Sequence, residues 1–130
     1  LKMNFKLNGI DLDKTYQLAI GASNKEVFFT SFKQESSINK VSNKKSELKV
    51  IQKSLDIILD LNKEYILKID VEGYELEVIK GMKNLLLNNC VTGIIIESFD
   101  GKATELLSKK GFEISKTSPN NYFAKKKRLG

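Results

Sequence analysis

The hydrophobic period of the chain changes once near its middle. Tyr65 to Val71 is a short apolar run (Ile66, Leu67, Ile69, Val71), rich in β-branched residues and broken only by Lys68 and Asp70. A run of that length and composition predicts a strand buried on both faces. Gly73 interrupts it, and from Tyr74 onward Val78, Ile79, Met82, Leu85 and Leu86 recur at three- and four-residue spacing. That spacing is the stripe of an amphipathic helix, which Asn88-Asn89 ends. Val91 to Ile96 repeats the strand pattern and ends at Glu97-Ser98. Lys102 to Lys110 repeats the helical one, with Ala103, Leu106 and Leu107 inward and Gly111 as its C-cap. Phe112 to Ile114 and Asn121 to Ala124 are two further strands joined around Pro119-Asn120. Two strand–helix alternations predict an α/β fold with a mostly parallel sheet and helices on its faces.

The first half has shorter periods. Leu1 to Asn8, closed by Gly9, reads as the last turns of a helix. Tyr16 to Ile20 and Glu26 to Phe32 are extended stretches separated by Gly21-Ala22-Ser23-Asn24, and together they predict a hairpin. Lys33 to Glu47 is polar, without period, and reads as a loop. Leu48 to Gln52 is extended again. Ser54 is placed to cap a helix from Leu55 to Leu61, with Leu55, Ile58 and Leu61 facing a core.

Composition narrows the function classes. The 130 residues form one domain, 1–124, followed by a basic tail, 125–130. The formal charge is +6, and Lys125, Lys126, Lys127 and Arg128 supply four of those charges, leaving +2 (6 − 4) for the rest. The basic character therefore reads as a solvated terminus. No basic stripe with interleaved aromatics lies outside it, so neither a nucleic-acid nor a membrane partner is expected. The single Cys90 forms no intrachain disulfide and suits a reducing cytoplasm, the expected location. With no histidine, a His-based triad or zinc site is excluded. The first residue is Leu1 and Met3 follows closely, so the chain reads either as cut upstream or as a short product from Met3.

Ligands of parallel α/β sheets bind outside the carboxyl ends of the strands. Asp70 ends the central strand, Glu72 lies in the turn and Glu75 in the first helical turn, while Glu97 ends the next strand at the same sheet edge. The helix dipole alone accounts for Glu72 and Glu75, and Asp70 could serve as a cap. Two or three carboxylates at one edge could also hold Mg²⁺, although no metal is expected. Gly81, inside a helix, reads as a site of close packing.

The segment KIDVEGYELEVIKGM, from Lys68 to Met82, resembles the signature segment of the FkbM-like methyltransferases. Lys53-Ser54-Leu55-Asp56 before it and Gly93-Ile94-Ile95-Ile96-Glu97 after it resemble the same family in the same order. The resemblance implies the Rossmann-like class I methyltransferase fold, closed by an antiparallel last strand, with S-adenosylmethionine as cofactor. It places Ala19-Ile20-Gly21 at the end of the third strand, on the adenine side of the cofactor. Methyl transfer needs donor and acceptor held in line and a group to take the acceptor's proton. Asp70 first, then Glu72, are therefore candidates for a place near the methionine end of the cofactor or beside the methyl acceptor, with Glu97 at the same edge, and the resemblance strengthens Asp70. The resemblance also implies methyl transfer to a small-molecule or sugar hydroxyl.

The family's glycine-rich loop and first two strands would precede Leu1, so the chain reads as an N-terminally truncated member. Such a chain is expected to bind S-adenosylmethionine weakly or not at all. A catalytically inactive binding or assembly module is the alternative reading. Without those strands the central strand would keep a bare edge, through which a homodimer is expected.

Overall fold

The computed structural model describes residues 6–9, 15–30, 40–42 and 48–127. The stripe read from the sequence is the centre of the core. Strand β5 (Tyr65–Ile69) leads through a turn into helices α2 (Glu75–Lys80) and α3 (Lys83–Leu87), then strand β6 (Val91–Glu97), helix α4 (Lys102–Lys109) and strands β7 (Phe112–Ser118) and β8 (Asn121–Lys126). Met82, Leu85, Ile94, Ile96 and Leu107 are completely buried, and Val78, Ile79 and Leu86 nearly so. Burying each such side chain is worth about 1.5–3 kcal/mol, so this cluster of helices on sheet dominates the fold's stability. The expected single helix is two, broken at Gly81-Met82, but its apolar stripe survives the break.

Four strands form this sheet in the order β5-β6-β8-β7. β5 and β6 are parallel, with Leu67 beside Ile94 and Ile69 beside Ile96. β8 runs antiparallel to both β6 and β7, the expected closing pair. It extends to Lys126, so Lys125 and Lys126 lie in the sheet. Period-two alternation sorts the residues. Leu67, Ile69, Ile94, Ile96 and Ala124 face the helices, while Ile66, Lys68, Ile95 and Phe123 lie on the other face.

That second face corrects the expectation of a strand buried on both sides. Ile66 is 70% exposed and Ile95 44%, and of the five β5 residues only Ile69 is buried. The cause is topological. β5 is the end strand of its sheet, and α2, α3 and α4 cover one face only.

The first half makes a second, smaller sheet from β1 (Ala19–Ile20), β2 (Lys25–Thr30), β3 (Lys40–Ser42) and β4 (Leu48–Lys53), ordered β1-β4-β2-β3. The predicted hairpin is therefore corrected. β4 lies between the two strands, parallel to β1 and antiparallel to β2. Among the described residues both sheets are mixed, with parallel pairing confined to β1–β4 and β5–β6. The expected loop holds β3, and its remaining residues lie outside those described, as do Leu1 to Phe5. Residues Lys6 and Leu7 end a helical turn at Gly9, whose φ of 64° is the left-handed cap expected of it.

Helix α1 (Leu55–Ile58) stops a turn earlier than expected, and Leu61 is 41% exposed. Ser54 occupies the N-cap without a side-chain hydrogen bond. The capping in this region comes from Asp56 instead. Its two carboxylate oxygens accept from the Asn84 and Leu85 backbone N–H groups at 2.9 and 3.0 Å, closing the start of α3 across 28 and 29 residues of sequence. Cys90 is buried, as its small apolar character suggests, with Sγ 3.1 Å from the Leu61 carbonyl. No helix among the described residues is long and apolar enough to cross a membrane.

Candidate functional site

The parallel register of β5 and β6 places the ends of both strands at one edge. Ile69 pairs with Ile96 on the helix-covered face, and there the ladder ends: Asp70 follows directly after β5, and Glu97 is the last residue of β6. Glu97 in turn pairs with Asn121 of β8. Glu97 and Asn121 thus pair at the carboxyl end of β6, the end of the sheet at which Asp70 leaves β5. The Asp70 side chain is 48% exposed and lies 3.1 Å from Lys68 Nζ. An exposed pair of this kind contributes little to stability. Asp70 is available to a ligand.

The turn after Asp70 is unusual in its backbone. Glu72 has φ of 53° and Gly73 φ of 93°, two successive left-handed residues. Gly73 takes this conformation freely, whereas for Glu72 it costs about 1 kcal/mol. Glu72 is exposed in this turn, which follows directly on Asp70. Glu75 is different. It is 5% exposed, and its Oε1 accepts from the Gly73 N–H at 3.1 Å. Its carboxylate closes the turn from within. Ser98, the residue after Glu97, is also buried, and its hydroxyl has no hydrogen-bond partner among the described residues.

Ala19, Ile20 and Gly21 stand at the carboxyl end of β1, where the Gly21 N–H donates to the Lys53 carbonyl at 3.1 Å and continues the parallel ladder. Ala19 and Gly21 are buried and Ile20 half-buried. The side chain of Gln52 fills the space over Gly21, since a Cβ there would lie 2.6 Å from Gln52 Cδ. Gln52 is itself only 1% exposed, and it donates to the Ser23 carbonyl at 2.8 Å and accepts from the Tyr74 hydroxyl at 3.0 Å. On its other side the Gly21 carbonyl sits where a Cβ of Gly81 would be, only 2.2 Å away. Gly21 is therefore a packing glycine wedged between Gln52 and Gly81. This junction ties the small sheet to α2.

Burial, followed by the nearby Glu77 carboxylate, raises the Tyr74 phenol above its ordinary value. A folded value above the unfolded one means stability that is full below the unfolded value and is lost as pH rises through the folded one. Tyr74→Phe is expected to cost about 1 kcal/mol at neutral pH, because the buried Gln52 Oε1 loses its donor. It should also remove part of the alkaline loss of stability above a pH of about 10. Denaturation midpoints against pH, with phenolate absorbance as the titration signal, check both effects.

Sequence reasoning missed Gln52, Asn24 and Asp56. Gln52 continues the inward phase of Val50 in β4, which was the available signal. Asn24 Oδ1 accepts from the Ser54 N–H at 3.1 Å, a contact across 30 residues with no local signature. No group of three or more Cys, Asp or Glu among the described residues is arranged to hold a metal ion.

A separate groove of about 1030 Å³ lies at the opposite, amino end of β5 and β6, where Ile66, Gly93 and Phe123 meet Lys110 and Lys125. Neither Asp70 nor Glu97 lines it.

Comparison with curated proteins and with solved structures returns no match. Residues 2–114 match the methyltransferase FkbM domain, and the chain belongs to that family.

Proposed function

We propose that the chain is part of an S-adenosylmethionine-dependent methyltransferase acting on a hydroxyl of a small molecule or sugar. Membership of the family supports the reaction class, and the position of Asp70 and Glu97 at the carboxyl ends of the adjacent parallel strands β5 and β6 carries the reading. When bound, the cofactor supplies a methyl group on a positively charged sulfur. The residues of this chain have to orient the acceptor, offset that positive charge and take the hydroxyl proton. The exposed Asp70 carboxylate fits a cationic ligand, and it is the residue assigned to the methionine end. Glu97 and Glu72 are the groups assigned to the acceptor and its proton. Ala19, Ile20 and Gly21 would contribute to the adenine side as wall, through Ile20 and backbone, because Gln52 closes the face of Gly21.

That closed face favours a second reading, a methyltransferase-fold binding or assembly module without catalysis. Incubation with S-adenosylmethionine labelled at its methyl group, across a panel of polyols and sugars, separates the two. Label transferred to a hydroxyl supports the enzyme. Absence of transfer, together with absence of saturable cofactor binding by calorimetry, supports the module.

A further inference from the structure

One end of the larger sheet collects lysines. β5 and β6 are parallel and β8 runs against β6, so the ends of α3, α4 and β8 all lie at the amino end of β5 and β6. Lys109 and Lys110 close α4, and Lys125, Lys126 and Lys127 close β8. The fold fixes both segments there. Lys126 Nζ donates to the Lys110 carbonyl at 2.8 Å and lies 5.0 Å from the centre of the Phe112 ring. The Lys127 N–H donates to the Gly111 carbonyl at 3.0 Å. Lys125 to Lys127 are therefore part of the folded edge, which corrects their reading as a solvated tail.

The acids at this end are Glu64, Glu105 and Glu113, and among the described residues only Glu105 of the three is ion-paired, with Lys109 at 2.6 Å. Lys110, Lys125 and Lys127 are exposed and form no ion pair among the described residues. Leu87 stands beside them. Leu85 and Leu86 are buried in the helical stripe, whereas Leu87, one step off it, is 73% exposed and lines the same groove as these lysines. The carboxyl end of the sheet is the reverse. It carries Asp70, Glu72, Glu97 and Asp100, of which Lys68 and Lys102 offset Asp70 and Asp100. Charge is thus separated along the strands, negative at their carboxyl end and positive at their amino end.

We propose that the amino end is a peripheral contact for an anionic lipid bilayer. Leu87 enters the headgroup boundary, Lys109, Lys110, Lys125 and Lys127 lie against the lipid phosphates, and the carboxylate-bearing end faces away from the surface. Two features select a bilayer over a nucleic acid. All the cations here are lysines, compact point charges suited to a diffuse surface potential, whereas nucleic-acid sites favour planar arginine forks and stacking aromatics. The exposed leucine among them gains by leaving water only where an apolar phase lies beside the phosphates. Repulsion of the opposite end by the same surface sets the orientation. The inference does not depend on the reaction proposed above.

The 130-residue chain should cosediment with phosphatidylcholine vesicles containing about one-third phosphatidylserine at about 50 mM salt. It should not do so with phosphatidylcholine alone, and binding should fall as salt rises. Each charge near such a surface changes binding about fivefold, so Lys110→Glu and Lys127→Glu, which alter two charges each, should each weaken it about twenty-five-fold. Leu87→Gln should weaken it at least about threefold. Lys102→Glu makes the same change in net charge at the opposite end and should leave binding near the parent value. Circular dichroism verifies that each variant is folded. Equal binding to neutral and anionic vesicles overturns the proposal, as does a Lys102→Glu loss equal to that of Lys110→Glu. Binding to a single-stranded oligonucleotide that is tighter than to vesicles and unchanged by Leu87→Gln overturns it too, in favour of a nucleic acid.

Discussion

Alanine at Gly81 is expected to destabilise the fold, although the entropy of the unfolded chain argues the other way. Gly81 has φ of −82°, a backbone conformation open to any residue. Replacing Gly by Ala at such a position would by itself add about 0.4–1 kcal/mol, by restricting the unfolded chain. The added methyl, however, would fall 2.2 Å from the Gly21 carbonyl oxygen and 3.2 Å from Ser54 Cβ. The first of these is backbone, so no rotamer change relieves it. The end of α2 must move away from β1, and overpacking of this kind costs about 3 kcal/mol. The net loss should be about 2 kcal/mol, read as a fall in the denaturation midpoint of roughly 6–10 °C. The displacement should also stretch the hydrogen bond from the Asp56 N–H to the Gly81 carbonyl, now 3.1 Å, and loosen the contact of Tyr74 with Gln52. A Gly81→Ala variant as stable as the parent would mean that the two sheets do not approach this closely in solution.

How much could be read in advance depended on whether the deciding contact was local. Val78, Ile79, Met82, Leu85 and Leu86 are all buried, as their spacing requires, because one helical stripe can meet a sheet in only one way. That β5 and β6 are parallel and end at one edge, after Ile69 and Glu97, was legible for a related reason: successive strands of an α/β unit run the same way. The exposure of Ile66 was not legible. A strand's composition records what can be buried, whereas its exposure depends on which neighbours pair with it and which helices cover it.

The order β1-β4-β2 was hidden in the same way. Gly21 to Asn24 carry strong turn chemistry, which permits a tight hairpin or a wider return. Only Gln52, pairing with both Ala19 and Lys25 from outside that segment, shows that a strand fits between. Asp56 was legible as an acid in the first turn of a helix. Its partner, the start of a different helix, was not.

Asp70→Asn is the change expected to affect activity most. It keeps the size of the side chain and its place at the end of β5 but removes the charge. Asp70 is exposed and its ion pair with Lys68 lies at the surface, so stability should change by no more than about 0.5 kcal/mol. If the carboxylate offsets the cofactor's positive charge or takes the acceptor's proton, kcat should fall about a hundredfold. Glu75→Gln provides the contrast on the same turn. Its amide oxygen can still accept from the Gly73 N–H, so activity should stay within about threefold of the parent if that bond is its only task. Glu97→Gln should lie between them, with a larger effect on kcat than on KM if Glu97 acts in proton transfer. Labelled-methyl rates for the three variants, measured beside their melting temperatures, separate chemistry from folding. Equal and unimpaired rates for Asp70→Asn and Glu75→Gln would take Asp70 out of the mechanism. A loss confined to Glu75→Gln would shift the site from the sheet edge to the interior of the turn.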